Sequence, residues 1–323
     1  MLLSSALSLR SGAELRLSGS PSLRFNNASL STVGLCAYAE RERVRVDDPF
    51  DGGESRSLSI PGARSVSQAR WVTVDGAEYL GVASGGGLHL LDSAGDKLLA
   101  VFPNEEIPKN PDCEQALCGD YVTSVEGVAG TQLVCVGSAQ GMLVLLHFDA
   151  KRKRLSLEAS ARAHRRSVSA LGSSVSNMAS GDENGHVAVW CAGGLEQVCA
   201  FPSMGCPCCS VVVRADRVIA AFVSGVVRVY DIARARVQIE IDAHCRTLNA
   251  IALHPQYDVF ASAGEDGFIN VWQLPDKRNL DVRLIASLRA PDALLCGVAF
   301  LLDGSNRLAA LAYDSPKLYV WSN

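Results

Sequence analysis

The sequence predicts an all-β protein, a single ring of seven four-stranded antiparallel blades (a β-propeller) whose N-terminal strand completes the last blade. Three observations predict it. First, an apolar or aromatic residue recurs near the end of a strand at Val46, Leu91, Leu146, Trp190, Tyr230, Trp272 and Trp321, at intervals of 40 to 55 residues. Units of roughly 40–45 residues that cannot bury their own faces build a core by stacking on neighbours. Second, alternating apolar and polar runs between these positions are cut by Gly, Asp and Asn turns, as short antiparallel strands require. Third, the two ends are unbalanced. The chain stops two residues past Trp321, while a surplus strand over 13–18 (AELRLS) precedes the first blade. Pairing these ends would remove two exposed edges.

In chain order, blade one is the weakest. Its first strand must come from FNNASLS at 25–31, and a six-blade ring is the alternative if this blade is misread. Blade two runs Val66 to Val74, turn Asp75-Gly76, Glu78 to Ala83, a glycine turn at 85–87, and Leu88 to Asp92. Residues 103–119, PNEEIPKNPDCEQALCG, are Pro-rich and polar, so they read as an inserted surface loop. KRKR at 151–154 follows the third strand of blade three, and GDENGHVAVW at 181–190 closes blade four. Blade five runs Val211 to Val213, Val218 to Val223 and Val226 to Tyr230. Blade six is the most regular: Asn249 to Leu253, a turn at His254-Pro255, Val259 to Ala263, a turn at Glu265-Asp266-Gly267, and Phe268 to Leu274. Blade seven ends in LYVWSN.

Blade six carries His244, Ser262, Asp266 and Trp272 in that order. This resembles the signature of the WD-repeat (WD40) propeller family. The resemblance implies a hydrogen-bond chain from Asp266 to His244 to Ser262 to the Trp272 indole, whose N–H needs a partner inside a blade. Blade four has His164, Ser180 and Trp190, with Asn184 where the Asp would stand; blade five has Ser224 and Tyr230. Within the family, FNN (25–27), PCCSV (207–211), VQIEIDAHCRTLNAI (237–251), ASAGEDGFINVWQL (261–274) and LLCGVAF (294–300) resemble one intracellular member with no known catalysis. The implied role is a non-enzymatic scaffold for protein–protein contacts in an intracellular complex, the contacts made on the face that carries the His-bearing loops. Arg165, Arg166, Arg246, Asp182, Glu183 and Glu265 are the candidate contact residues there, together with the 103–119 loop. KRKR would sit on the opposite face.

Composition narrows the function classes. Apolar residues make up 48% and charged residues 20%, enough for a large core, and the net charge of −4 lacks the basic footprint of a nucleic-acid binder. The eleven cysteines are irregularly spaced and read as reduced and buried. Cys206, Cys208 and Cys209 are close in sequence, but C-x-C-C sends neighbouring side chains to opposite faces of a strand and suits zinc poorly. No metal, cofactor or catalytic residue is expected, since nucleophile-elbow, phosphate-loop and metal-ligand patterns are absent. The N-terminus lacks a signal-peptide pattern, and apolar runs are too short for a bilayer. A cytoplasmic, monomeric propeller within a larger complex is the expectation, with a cilium or vesicles as further locations. Two rival roles remain. An adaptor of an enzyme such as a ubiquitin ligase lacks its W-D-x-R mark here: Gln273-Leu274-Pro275 follows Trp272, and Asp231-Ile232-Ala233 follows Tyr230. A ciliary or cytoskeletal component would use the KRKR turn.

Overall fold

In the computed structural model, the residues described are 9, 11–60, 62, 65–113, 121–275 and 281–322. They form seven four-stranded antiparallel sheets, which removes the six-blade alternative. Blade one is Ser29–Leu30, Cys36–Glu40, Arg43–Asp47 and Arg56–Ser59. Blade four is Val168–Ser173, Asn177–Asp182, Val187–Cys191 and Gln197–Phe201. Blade six is Leu248–Leu253, Val259–Gly264, Phe268–Gln273 and Arg283–Arg289. Blade seven takes three strands from the C-terminal end and its outer strand, Ser11–Arg16, from the N-terminal end. That strand pairs antiparallel with Lys317–Ser322, from Ser11 opposite Ser322 to Arg16 opposite Lys317.

The core lies between blades. Leu88, Leu90, Val125, Val136 and Val144 fill the seam of blades two and three, and Ala261, Val271, Val298 and Ala310 that of blades six and seven. Each sheet therefore buries both faces, and a blade removed from its neighbours would expose them.

Inner strands carry a recurrent irregularity. In six blades the register slips at the second residue, as between Val122 and Ser124, Val168 and Ala170, or Leu248 and Ala250. A bulge of this kind re-aims one side chain and frees one carbonyl. In three of these blades the bulged side chain bonds to the next blade. Thr123 Oγ1 donates to the Val168 carbonyl at 2.5 Å, Ser169 Oγ to the Cys208 carbonyl at 2.5 Å, and Asn249 Nδ2 to the Leu295 carbonyl at 2.8 Å.

The freed carbonyls hold the chain between the closing strand and blade one. The Asn26 amide donates to the Asn249 carbonyl at 3.1 Å, and the Asn27 amide to the Cys296 carbonyl at 2.9 Å. Asn26 Nδ2 donates to the Cys209 carbonyl at 2.9 Å, while its Oδ1 accepts from Ser210 Oγ at 2.7 Å. Asn27 accepts from the Ala39 amide and donates to the Ala39 carbonyl. Residues 23–28 thus cross the central channel and bond to blades five, six, seven and one. Only Ser29–Leu30 of the FNNASLS segment is strand. Gly297 must lack a side chain here, because a Cβ would strike Ala28 and the Asn27 carbonyl carbon.

Just before this crossing, residues 18–22 are latched to blade one. The Ser18 amide donates to Asp47 Oδ2 at 2.9 Å, its hydroxyl donates to Oδ1 at 2.5 Å, and the Tyr38 hydroxyl donates to Oδ2 at 2.8 Å. Burial and the Asp47 charge push the Tyr38 phenol well above its ordinary value, so it stays a donor to the buried carboxylate.

Candidate functional site

The upper face, which carries the His-bearing loops, begins with the polar chains inside blades six and four. In blade six, Trp272 Nε1 donates to Ser262 Oγ at 2.9 Å, His244 Nε2 lies 2.8 Å from that oxygen, and His244 Nδ1 lies 3.0 Å from Asp266 Oδ1. A carboxylate only accepts, so the Nδ1–H points at Asp266, and Nε2 pairs with the Ser262 hydroxyl. Asp266 also accepts from the amides of Phe268 and Cys245. Burial opposes ionisation of Asp266, yet the His244 bond and charge and these two amides outweigh it and hold the carboxyl below its ordinary value.

Blade four solves the same problem from another position. Trp190 Nε1 donates to Ser180 Oγ at 2.9 Å, and His164 Nε2 lies 2.7 Å from that oxygen. The carboxylate is Asp182, 3.2 Å from His164 Nδ1, and its side chain is 1% exposed. Asn184, expected as the acceptor, is exposed instead. The reason is the strand period: Asp182 and Asn184 are two residues apart, so both start on the His164 side, but the strand carries only the first. The corresponding residue in blade six is Gly264, where a Cβ would lie 3.0 Å from His244 Nδ1. A side chain in one blade and its absence in the other therefore decide which position reaches the imidazole. Asp182 also caps the turn, accepting from the amides of Asn184 and His186 at 2.9 Å each. Its carboxyl is likewise held down against the opposing effect of burial, chiefly by His164. Asp182 is therefore removed from the candidate surface contacts.

Glycines hang the His-bearing loops on the preceding blade. The amides of Ala243 and His244 both donate to the Gly225 carbonyl at 3.0 Å. Gly225 has φ +89°, and a Cβ there would collide with the His244 carbonyl. Gly141 serves His164 in the same way.

Among the remaining candidates, Arg165, Glu183 and Arg246 are exposed, and Arg166 and Glu265 are half-buried. Glu183 lines a cup at the upper mouth of the channel, about 300 Å³ in volume, with Leu23, Phe25, Gln68, Tyr121 and Asn249. The Leu23 and Phe25 walls come from the crossing segment, which an alternation reading of FNN could not reveal. The first part of the 103–119 loop reaches the same face. Asn110 is buried and donates to the carbonyls of Gln140 and His164 at 2.8 and 2.9 Å. Residues 114–120, with Cys118, lie outside the described residues.

Cys208 and Cys209 point to opposite faces, into the blade four–five and blade five–six cores. Burial pushes both thiols far above their ordinary value. Among the described residues, no three His, Cys, Asp or Glu side chains gather to hold a metal ion. KRKR forms the exposed tip of a long hairpin in blade three, where Asp149 Oδ1 accepts from the amides of Lys151 and Arg152. No helix among the described residues is long and apolar enough to cross a membrane.

The comparisons with known proteins agree with this architecture. A chain in the crystal structure of the mitotic checkpoint complex superposes with a TM-score of 0.76 over 98% of this chain and 96% of that one, at 16% identity. That likeness shows the fold. WD repeat domain 54 of Rattus norvegicus is 28% identical over 200 residues, covering 58% of this chain and 59% of that protein. WD repeat-containing protein 54 of Homo sapiens is 25% identical over 209 residues, covering 61% and 63%. The matched regions span less than two thirds of those relatives' length. The WDR54 family model matches residues 59–323, from the outer strand of blade one through blade seven. With the internal chains of blades four and six and the closed seven-blade ring, that match shows that the chain belongs to the WDR54 family of WD-repeat propellers.

Proposed function

We propose that this chain is a non-enzymatic, single-domain interaction platform whose upper face engages a partner protein in an intracellular complex. One observation supports it most directly. The imidazoles and carboxylates best suited to chemistry, His164, Asp182, His244 and Asp266, are committed to internal bonds. Their sequence neighbours Arg165, Arg246 and Glu183 are exposed on the same loops. The loops are hung from glycine carbonyls, so these charges stand on a rigid base, and exposed loops on a rigid scaffold are where recognition concentrates.

The mixed signs, two Arg beside one Glu, suit a partner surface of mixed charge and set register more than raw affinity. Affinity purification with quantitative mass spectrometry tests the reading, comparing wild type with Arg165→Glu/Arg246→Glu. The expected outcome is loss of a defined subset of partners with an unchanged melting temperature. An identical partner list for a folded variant would remove the upper face from consideration.

A further inference from the structure

The channel through the ring is not continuous. Residues 23–28 divide it into the upper cup, lined by Leu23 and Phe25, and a lower one, lined by Asn26 and Ala28. The lower cup has a volume of about 260 Å³ and two unlike walls. Blades five to seven supply an apolar wall that includes Val213, Leu253 and Phe300, with Leu302 beyond the last of these and 46% exposed. Blades two to four supply Arg70, Glu126 and Ser173.

The polar wall pairs a partly exposed cation with a buried carboxylate. Arg70 Nη2 lies 2.9 Å from Glu126 Oε2, with the guanidinium side chain 29% exposed. Glu126 Oε2 is buried, and this ion pair is the contact it makes with a cation. Glu126 Oε1 accepts from Ser173 Oγ at 3.2 Å. The single close contact through Nη2 leaves other N–H groups of the partly exposed Arg70 guanidinium able to meet a ligand in the cup. Arginine offers five N–H donors in a planar fork that matches a carboxylate. Burial pushes the Glu126 carboxyl above its ordinary range, with Arg70 and Ser173 opposing.

We propose that the lower cup binds a carboxylate carried on a compact apolar body. Arg70 takes the carboxylate, and the wall of Val213, Leu253 and Phe300 takes the body. The cup is too small for a folded partner, which leaves two sources of the same chemistry. One is a free short-chain or aryl carboxylate, and the other is the C-terminus of a polypeptide that ends in an aliphatic residue. This site is independent of the upper face, because the crossing segment separates the two.

The test is calorimetric titration of the full chain with hexanoate, hexanamide, and acetyl-Gly-Gly-Leu as its free acid and as its amide. Each acid that binds should do so saturably and about tenfold or more tighter than its amide, the worth of charge-assisted hydrogen bonds. Binding of hexanoate alone assigns the free carboxylate as the source; binding of the peptide acid assigns the chain terminus. Arg70→Gln should abolish acid binding. Because that change strands Glu126, Arg70→Gln/Glu126→Gln is titrated in parallel with the same expectation. Leu302→Glu, which leaves the pair intact, should weaken hexanoate more than hexanamide. No binding of either acid at millimolar concentration, equal affinity for acid and amide, or unchanged hexanoate affinity in a folded double variant would each overturn the proposal.

Discussion

Asp182 and Asp266 perform one task from two positions, and the difference is measurable residue by residue. Asp182→Ala leaves His164, His186 and two amides without their acceptor and should cost about 3 kcal/mol. Asn184→Ala, at an exposed site, should change stability by less than about 0.5 kcal/mol. Urea denaturation of the two variants checks this, and a larger loss for Asn184→Ala would return the acceptor role to Asn184. The pH dependence follows from the same bonds. Both carboxyls lie below their ordinary value in the fold. Each therefore contributes stability that is fully present above the unfolded carboxyl value, near 4, and lost as pH falls through the folded value. The melting-temperature gap between wild type and Asp182→Asn/Asp266→Asn should stay constant from neutral pH down to about 5 and narrow below about 4. A gap that widens on acidification would assign the effect to other groups. The His, Ser and Trp of each chain were legible in the sequence because their order resembles the WD-repeat signature, which implies these bonds. The acceptor in blade four was not, since the choice between Asp182 and Asn184 depends on how closely the His164 loop packs on the strand.

At the scale of elements, the bulged inner strands and the crossing segment form one device. A bulge leaves a carbonyl unpaired, and a buried carbonyl without a donor is costly; Asn26 and Asn27 supply the donors. Asn26 has φ +50°, a conformation that Asn tolerates better than most residues. Asn26→Ala should cost about 2–3 kcal/mol, combining lost side-chain bonds with backbone strain. Asn26→Gly, which keeps the backbone free, should recover about 1 kcal/mol of that. Equal losses in thermal or chemical denaturation would show that strain plays no part. Alternation identifies strands but is blind to this device. A one-residue slip inside an inner strand barely alters the pattern of apolar residues, and Phe25 reads as strand although it crosses the channel.

Across the whole molecule, the ring is closed twice. Ser11–Arg16 completes the sheet of blade seven, and residues 18–22 bond to blade one through Asp47, Tyr38, Glu40 and Ala39. A chain beginning at Leu23 loses both closures and exposes the Lys317–Ser322 edge. Its melting temperature should fall by roughly 10 °C or more, since each kcal/mol moves the midpoint by about 2–4 °C in a domain of 150–250 residues. Melting at the full-chain temperature would show that the interblade cores alone hold the ring. The KRKR hairpin and the upper-face arginines lie on opposite faces of this body, so charge changes on one should leave contacts on the other intact.

The sequence by itself determined the class of fold, the blade repeat, the strand that closes the ring and the family. The fold class, the repeat and the closing strand are carried by the pattern of strands and turns, and the family by the resemblance of its motifs and the match over residues 59–323. Tertiary structure alone decided the Asp182 acceptor, the interblade bonds of the bulges, the divided channel and the Arg70–Glu126 pair. The first depends on how closely the His164 loop packs on its own blade, while the others join residues from different parts of the ring and depend on where it leaves an unpaired carbonyl or room for a side chain.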